Sequence, residues 1–329
     1  MRQLRSVQRS ERGAALLSVL MIVAVMSVTA LLTLDTLSRS VSLSKATADR
    51  SRSIWATRSL EDYAATMIEQ LAETVGAGFS ARSADALQPQ TIPMPDGVIT
   101  LRLEEETNCF NLNALGSMTN DEIDPVTIKT YHDLLVANDF SRFEAQALAD
   151  TLVDWMDTDE RARVNGAESV YYSALTPPYR TSGQMLENAS ELNAIAGYTP
   201  EIRDRIASLV CVRPSGSQSV LNVNTLTEDQ APLLMTLFSK ELTRDDTISL
   251  IQSRPPGGWE TMAEFNDLDI VKTITEDARN SKAVSLSTSH VRLKATYQTQ
   301  AGAAQLEALF EWAANAPPKK IWRRYGGRS

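Results

Sequence analysis

Residues Gly13–Leu34 read GAALLSVLMIVAVMSVTALLTL, and no charge interrupts them until Asp35. A helix of about 20 such residues, rising about 1.5 Å each, crosses a hydrocarbon core of about 30 Å. Arg2, Arg5, Arg9 and Arg12 come directly before it, and cationic residues are retained on the cytoplasmic side of an inserted helix. The stretch predicts a single-pass membrane anchor with a cytoplasmic N-terminus and the body of the chain on the far side of the membrane.

An ordinary secretory signal is cut after its apolar core, at small residues. Here the small residue, Gly13, precedes the core. A cut between Gly13 and Ala14 would remove the charged leader and leave the apolar helix as the mature N-terminus, which is the layout of a type IV prepilin-like leader. From Ser38 to about Val75 neither proline nor glycine intervenes, and Ala56, Leu60, Tyr63, Met67 and Leu71 recur at helical spacing. One long helix is expected to run from the membrane into the body and to stop at Gly76 and Gly78. Its first half, with Arg39, Lys45, Asp49, Arg50, Arg52 and several serines, is polar nearly all round. That part reads as a solvated stalk or a surface for packing against sister helices.

Further along, VITLRLEEE (98–106) and FNLNALGS (110–117) read as a hairpin-like pair. The segments 134–156 and 190–210 carry helical periodicity. Alternation returns at SVLNVNT (219–225), VSLSTSHVRLKATYQT (284–299) and AQLEALFEW (304–312). The simplest organisation is an α+β domain interrupted by a helical insertion: a leader (1–13), a membrane segment (14–34), helix and first strands (35–118), an inserted helical domain (119–207), and the remainder of the αβ domain with helical hairpins (208–329).

The composition, 43% hydrophobic and 22% charged over 329 residues, is that of a globular chain. Its net charge of −9 becomes more negative once the basic leader is lost, which argues against nonspecific nucleic-acid binding. His132 and His290 are too few and too scattered to build a zinc site. Cys109 and Cys211 are the only cysteines, and in an exported protein a pair of this kind is expected as a disulfide rather than as two buried thiols.

The leader, FNLNAL (110–115), DWMDTD (154–159), GAESVYYSAL (166–175), PPYR (177–180), SELNAIAGYTPE (190–201) and LNVNTLT (221–227) occur in an order that resembles the protein K family of the type II (general) secretion system, over nearly the whole chain. The resemblance implies a minor pseudopilin: a pilin-like fold whose long N-terminal helix packs on an antiparallel sheet, with an all-helical domain inserted into the sheet. It implies a place at the tip of a periplasmic pseudopilus that exports folded proteins. The implied partners are the other minor pseudopilins, proteins I and J, through them the major pseudopilin, a prepilin peptidase that cuts after Gly13 with methylation of Ala14, and secreted cargo. Most pilins carry glutamate at the fifth mature position, whereas the fifth residue from Ala14 is Ser18. Protein K characteristically lacks that glutamate, and a subunit with no carboxylate in the bilayer has no such demand for a partner beneath it.

The acidic run Asp150, Asp154, Asp157, Asp159 and Glu160, followed by Glu168, lies where a helix should break into a glycine-containing loop. Alternating oxygens there, with a distant carboxylate, suit a hard cation with six to eight oxygen ligands. Calcium in the inserted domain is also what the resemblance implies. Asp157, Asp159 and Glu168 are the expected ligands; family members often carry aspartate where this chain has Ser169. The competing reading is a solvated acidic face paired to Arg161 and Arg163.

A rival function comes from residues 190–210 and 221–268, which read like helix-hairpin-helix segments of membrane-anchored DNA-binding or DNA-uptake proteins. Such hairpins offer backbone amides to phosphate, usually beside basic residues; here Glu201, Asp204, Glu228 and Asp229 stand in those places, so packing units are expected instead. No phosphate loop, zinc pattern or nucleophile elbow is present, so no enzyme is expected, and Trp155, Trp259 and Trp312 read as core anchors.

Overall fold

The computed structural model describes residues 7–75, 88–95, 97–116, 118–119, 122–218, 220–238, 241–276, 283–299, 302–311 and 317–326. Gly76, Gly78 and Trp312 lie outside them. The uninterrupted helix-forming sequence forms α1 (Val7–Val75). From Leu16 to Leu43 its large apolar side chains stand exposed, and it is long and apolar enough to cross a membrane.

The strands β1 (Gln90–Met94) and β2 (Gly97–Glu105) form a hairpin. Then come β3 (Phe110–Asn111), β4 (Met118–Thr119), β5 (Glu122–Ile123), α2 (Pro125–Ala137), α3 (Arg142–Met156), α4 (Ser169–Ser173), α5 (Pro200–Ile206) and β6 (Val210–Cys211). These are followed by β7 (Leu221–Asn222), α6 (Ala231–Leu237), α7 (Arg244–Gln252), α8 (Met262–Asn266), α9 (Asp269–Lys272) and β8 (Val284–Ser285). The chain closes with β9 (His290–Thr299), β10 (Gly302–Glu311) and β11 (Lys319–Tyr325).

The main sheet is antiparallel in the order β1-β2-β9-β10-β11. Alternation places Ile99, Leu101, Leu103, Val291, Leu293, Ala295, Tyr297, Leu306, Ala308 and Phe310 on one apolar face, and α1 packs over β9 and β10. Glu61, buried on α1, is held by Lys320 and by Arg323 at 3.0 Å, both from β11. Burial works to raise the Glu61 pKa, but the hydrogen bonds and charges of those two cations together outweigh it and hold the carboxyl below its ordinary value.

Neighbouring β2 and β9 are separated in sequence by everything from Glu106 to Ser289, and a single hydrophobic cluster runs from Phe110 to Ile274. The helical insertion therefore extends well past the boundaries 119–207 read from the sequence, and the hairpins after residue 208 belong to it. FNLNALGS is not a hairpin partner of β2. It makes a two-residue parallel pairing of β3 with β6 and then a 3-10 turn at Leu112–Gly116, because its asparagines bond to remote backbone.

That insertion, the cap, is built from two matching units. In the first, Phe110 N–H donates to Leu209 (2.7 Å), and Asn111 Oδ1 accepts from Asn113 N (3.3 Å). The Asn113 side chain accepts from Leu186 N (2.8 Å) and donates to Arg213 O (2.7 Å). In the second, Leu221 N–H donates to Ala283 (2.8 Å), Asn222 Oδ1 accepts from Asn224 N (3.0 Å), and the Asn224 side chain accepts from Trp259 N (2.8 Å) and donates to Leu286 O (3.5 Å). Both second helices open with a capping box, Ser141 with Glu144 and Thr243 with Asp246. Buried amides that make several bonds each to backbone are costly to leave unpaired, so they fix the register of each unit.

Candidate metal centre and relation to known proteins

The two units differ most after their second helix. In the second, α7 is followed by a short turn around Pro255–Gly258 before Trp259. In the first, the chain makes a long excursion from Asp157 to Gly183 before rejoining at Leu186. That excursion holds the acidic centre.

Asp154 lies in the last turn of α3, Asp157 caps its C-terminus, and Glu168 caps the N-terminus of α4, its carboxylate accepting from Ser169 N (3.3 Å). One carboxylate oxygen from each of the three falls within 4.8 Å of the others. Asp154 and Glu168 are buried, and the Asp157 Oδ1 and Glu168 Oε1 atoms are buried with no hydrogen-bond partner among the described residues. The Asp154 carboxylate accepts the Arg163 backbone N–H (3.1 Å) and lies 3.8 Å from the Arg163 Nε.

Gly166 is the closest approach in the loop: a Cβ there would stand 1.9 Å from Asp154 Oδ2. An aromatic group closes the other side, with Tyr172 5.2 Å from both Trp155 and Tyr179. The Tyr172 hydroxyl accepts from Ala196 N (3.1 Å), which ties the excursion back to the cap.

Three carboxylates at the negative end of a helix repel one another unless a cation joins them. Burial first, then the charges of Asp157 and Asp154, raise the Glu168 pKa to about 7. Burial, then Asp157 and Asp150, raise Asp154 to about 6. Burial and Asp159 also raise Asp157. The unpartnered oxygens and their mutual repulsion fit a hard, oxygen-liganded divalent ion.

Of the residues expected from the sequence, Asp157 and Glu168 are brought together. Asp159 is not part of that close set; it is exposed and its Oδ1 accepts Arg161 N (2.7 Å). Asp154 takes the third place. The signal that points to it is the three-residue step to Asp157 on α3, which puts both on one side of the helix end. Ser169 shares a hydrogen bond with Thr181 (2.8 Å).

Cys109 and Cys211 form a disulfide that closes a separation of 102 residues and staples the start of β3 to the end of β6. Gly13 and Ala14 lie on α1, and Ser18 is exposed on it. Trp155 and Trp259 are buried in the cap cluster, as expected of core anchors. The two helix-hairpin-helix-like segments contribute Leu192, Ile195, Leu226 and Leu250 to that same cluster.

Models of the family described as type II secretion system (T2SS), protein K match residues 108–215 and 221–287, which are the two units of the cap. Type II secretion system protein K of Klebsiella pneumoniae is 33% identical over 277 residues, covering 83% of this chain and 85% of that one. The protein K of Aeromonas hydrophila is 34% identical over 190 residues, and the alignment spans 55% of this chain and 57% of that relative. A chain in the crystal structure of the GspK-GspI-GspJ complex from enterotoxigenic Escherichia coli superposes with a TM-score of 0.73 at 23% identity, over 87% of this chain and 99% of that one; this likeness establishes the fold. The α+β architecture, the apolar N-terminal helix and the paired cap units all agree with these matches, and the chain belongs to the protein K family of the type II secretion system.

Proposed function

We propose that this protein is the minor pseudopilin that initiates and caps the periplasmic pseudopilus, joining I- and J-type minor pseudopilins and through them the major pseudopilin. The observation that carries this reading is the continuity of one helix, exposed from Leu16 to Leu43 and apolar as far as Leu34, into a pilin-like sheet crowned by a two-unit cap. The helix anchors the chain in the inner membrane; the cap is too large to lie within a stack of plain pilin subunits and belongs at its end. A prepilin peptidase cuts after Gly13, Ala14 becomes the methylated N-terminus, and Ser18 then occupies the fifth position.

Calcium is the ion proposed for Asp154, Asp157 and Glu168, with Asp159 close enough to add to the field. When bound, it would neutralise the acidic centre and tie the excursion to α3. Within the chain, Gly166 leaves room for the Asp154 carboxylate and Tyr172 fastens the loop to Ala196.

The deciding experiment is mass spectrometry of the protein from native membranes, combined with co-purification with I- and J-type chains of the same host. A mature N-terminus at Ala14 and a ternary complex are expected. An intact Met1, or a cut after the apolar segment, overturns the reading.

A further inference from the structure

The Cys109–Cys211 bridge lies where the chain leaves the sheet for the cap, just after β2 ends at Glu105. Both cysteines are largely buried, but their sulfurs meet different surroundings. Cys109 Sγ stands 3.2 Å from Arg213 Nη2. That nitrogen is fixed in place because it also donates to Glu106 O (2.5 Å) and Thr107 O (3.1 Å). Arg213 is buried, and burial pulls its pKa down to about 10, which leaves it a cation at neutral pH. The carboxylates whose charges reach it are Glu106, Glu105 and Glu311. Glu106 is paired with Arg292 at 2.9 Å, and Glu105 accepts from Thr107 N (3.1 Å) and Thr288 Oγ1 (3.3 Å). Cys211 instead lines a cleft of about 400 Å³ between the cap and the sheet, with Ile206 and Ala207 on the cap side and Arg292 and Trp322 on the sheet side. Cys109 is not among the described residues that line it. A cleft of this size is on the scale of small-molecule sites.

Exchange at a disulfide begins when an anionic sulfur attacks one of its two sulfurs in line with the S–S bond, and the other sulfur leaves as a thiolate. Negative charge gathers on the two outer sulfurs, so the rate depends on which sulfur can be reached and on how well the leaving thiolate is stabilised. A neighbouring arginine stabilises a thiolate. Access favours attack at Cys211, and Arg213 favours departure of Cys109. We infer that Cys211 is a site of sulfur exchange: a small sulfur nucleophile in the cleft bonds to Cys211 Sγ, the S–S bond breaks, and its electron pair leaves with Cys109 as a thiolate beside Arg213. The step needs no other oxidant or reductant. Its reverse, attack of the Cys109 thiolate on the Cys211 adduct, restores the bridge and expels the nucleophile. Asn111 Oδ1 accepts from Arg213 N (3.0 Å) and the Asn113 side chain donates to Arg213 O (2.7 Å). These bonds hold β3 beside β6 while the bridge is open, so Cys109 stays within reach to close it. The inference does not depend on the pseudopilin reading.

The test treats the detergent-solubilised full chain with sulfite, which leaves an S-sulfonate on the sulfur it attacks, while iodoacetamide caps the thiolate released. Peptide mass spectrometry then maps both labels. In the native protein the sulfonate on Cys211 with the capped thiol on Cys109 should exceed the opposite pattern about tenfold. In denaturant, where the cleft and the Arg213 contact are gone, the two patterns should come within about twofold of each other. An even split or the opposite pattern in the native protein, no reaction until the chain unfolds, or the same preference in denaturant would each overturn the inference. Arg213→Gln should cut the native preference to about threefold or less, and an undiminished preference refutes the part given to the cation. Should that variant fail to fold, the map of the wild-type protein decides by itself.

Discussion

Replacing Glu168 with glutamine separates the two states of the acidic centre. Glutamine keeps an acceptor for the Ser169 N–H at the start of α4 but removes one of three mutually repelling charges. With the Glu168 pKa raised from 4.5 to about 7, the native state holds a proton that the unfolded chain releases. Metal-free wild-type protein should therefore lose stability as pH rises through that window, and the loss is complete above it. Because a tenfold change in proton affinity is worth about 1.4 kcal/mol, the ionised carboxylate costs the native state about 3 kcal/mol at pH 8; coupling to Asp154 and Asp157 makes this an upper figure. Glu168→Gln should raise the melting temperature in chelator by about 5 °C, at roughly 2 °C or more per kcal/mol for a chain of this size. In calcium the order should reverse, because the wild type gains about 2.7 kcal/mol at a hundredfold excess over Kd and the variant forfeits most of it. Tryptophan fluorescence of the detergent-solubilised full chain, scanned in temperature with calcium and with chelator, reads both. A variant less stable than wild type in chelator, or a wild type indifferent to calcium, refutes the argument.

Gly166→Ala places a Cβ against the Asp154 carboxylate; because that clash exists with or without an ion, the substitution should lower the melting temperature in chelator by several degrees and abolish the calcium-dependent rise. Asn224→Ala removes the partner of Trp259 N and Trp259 O; a loss of about 2 to 4 kcal/mol in denaturant unfolding is expected from the stranded backbone groups, and Asn113→Ala should match it in the other unit. Glu61→Gln leaves Lys320 and Arg323 facing a neutral side chain. Because those cations are partly exposed, the cost should be about 1 to 2 kcal/mol. Because the Glu61 pKa is lowered on folding, that stability is present above the ordinary glutamate range and vanishes as pH falls through the folded value. Reduction of Cys109–Cys211 removes a constraint over 102 residues and should cost up to about 4 to 5 kcal/mol by the loop-entropy relation, read as a lower denaturation midpoint with reductant.

The long helix, the C-terminal strands and the cysteine pair were legible in the sequence because each depends on local signals: an uninterrupted helical run, strict alternation, and an isolated pair of thiols in a chain read as exported. FNLNALGS misled because alternation of apolar residues with asparagine imitates a strand, while the asparagine side chains actually bond to Leu186 and Arg213, 73 and 100 residues away. Such bonds leave no local trace, although the echo of FNLNAL in LNVNTL is a visible hint of two equivalent units. The insertion's limits were hidden for a related reason: Val284 and Ser285 read as the approach to β9, yet they pair with Leu221 and Asn222 inside the cap. At the acidic centre, alternation along the loop favoured Asp159 over Asp154, and only the three-dimensional return of Glu168 to the end of α3 decides between them.

The ion pairs of Glu61 with Lys320 and Arg323 fasten the anchor helix to the final strand of the sheet. Tension applied at the membrane end therefore has two routes into the body, the covalent connection after α1 and this electrostatic rivet, which delivers load to β11 and thence across its antiparallel ladder with β10. The sheet is gripped from both ends of the chain at once, so a load applied along the helix would move the sheet as one piece with the stalk instead of swinging it on a tether.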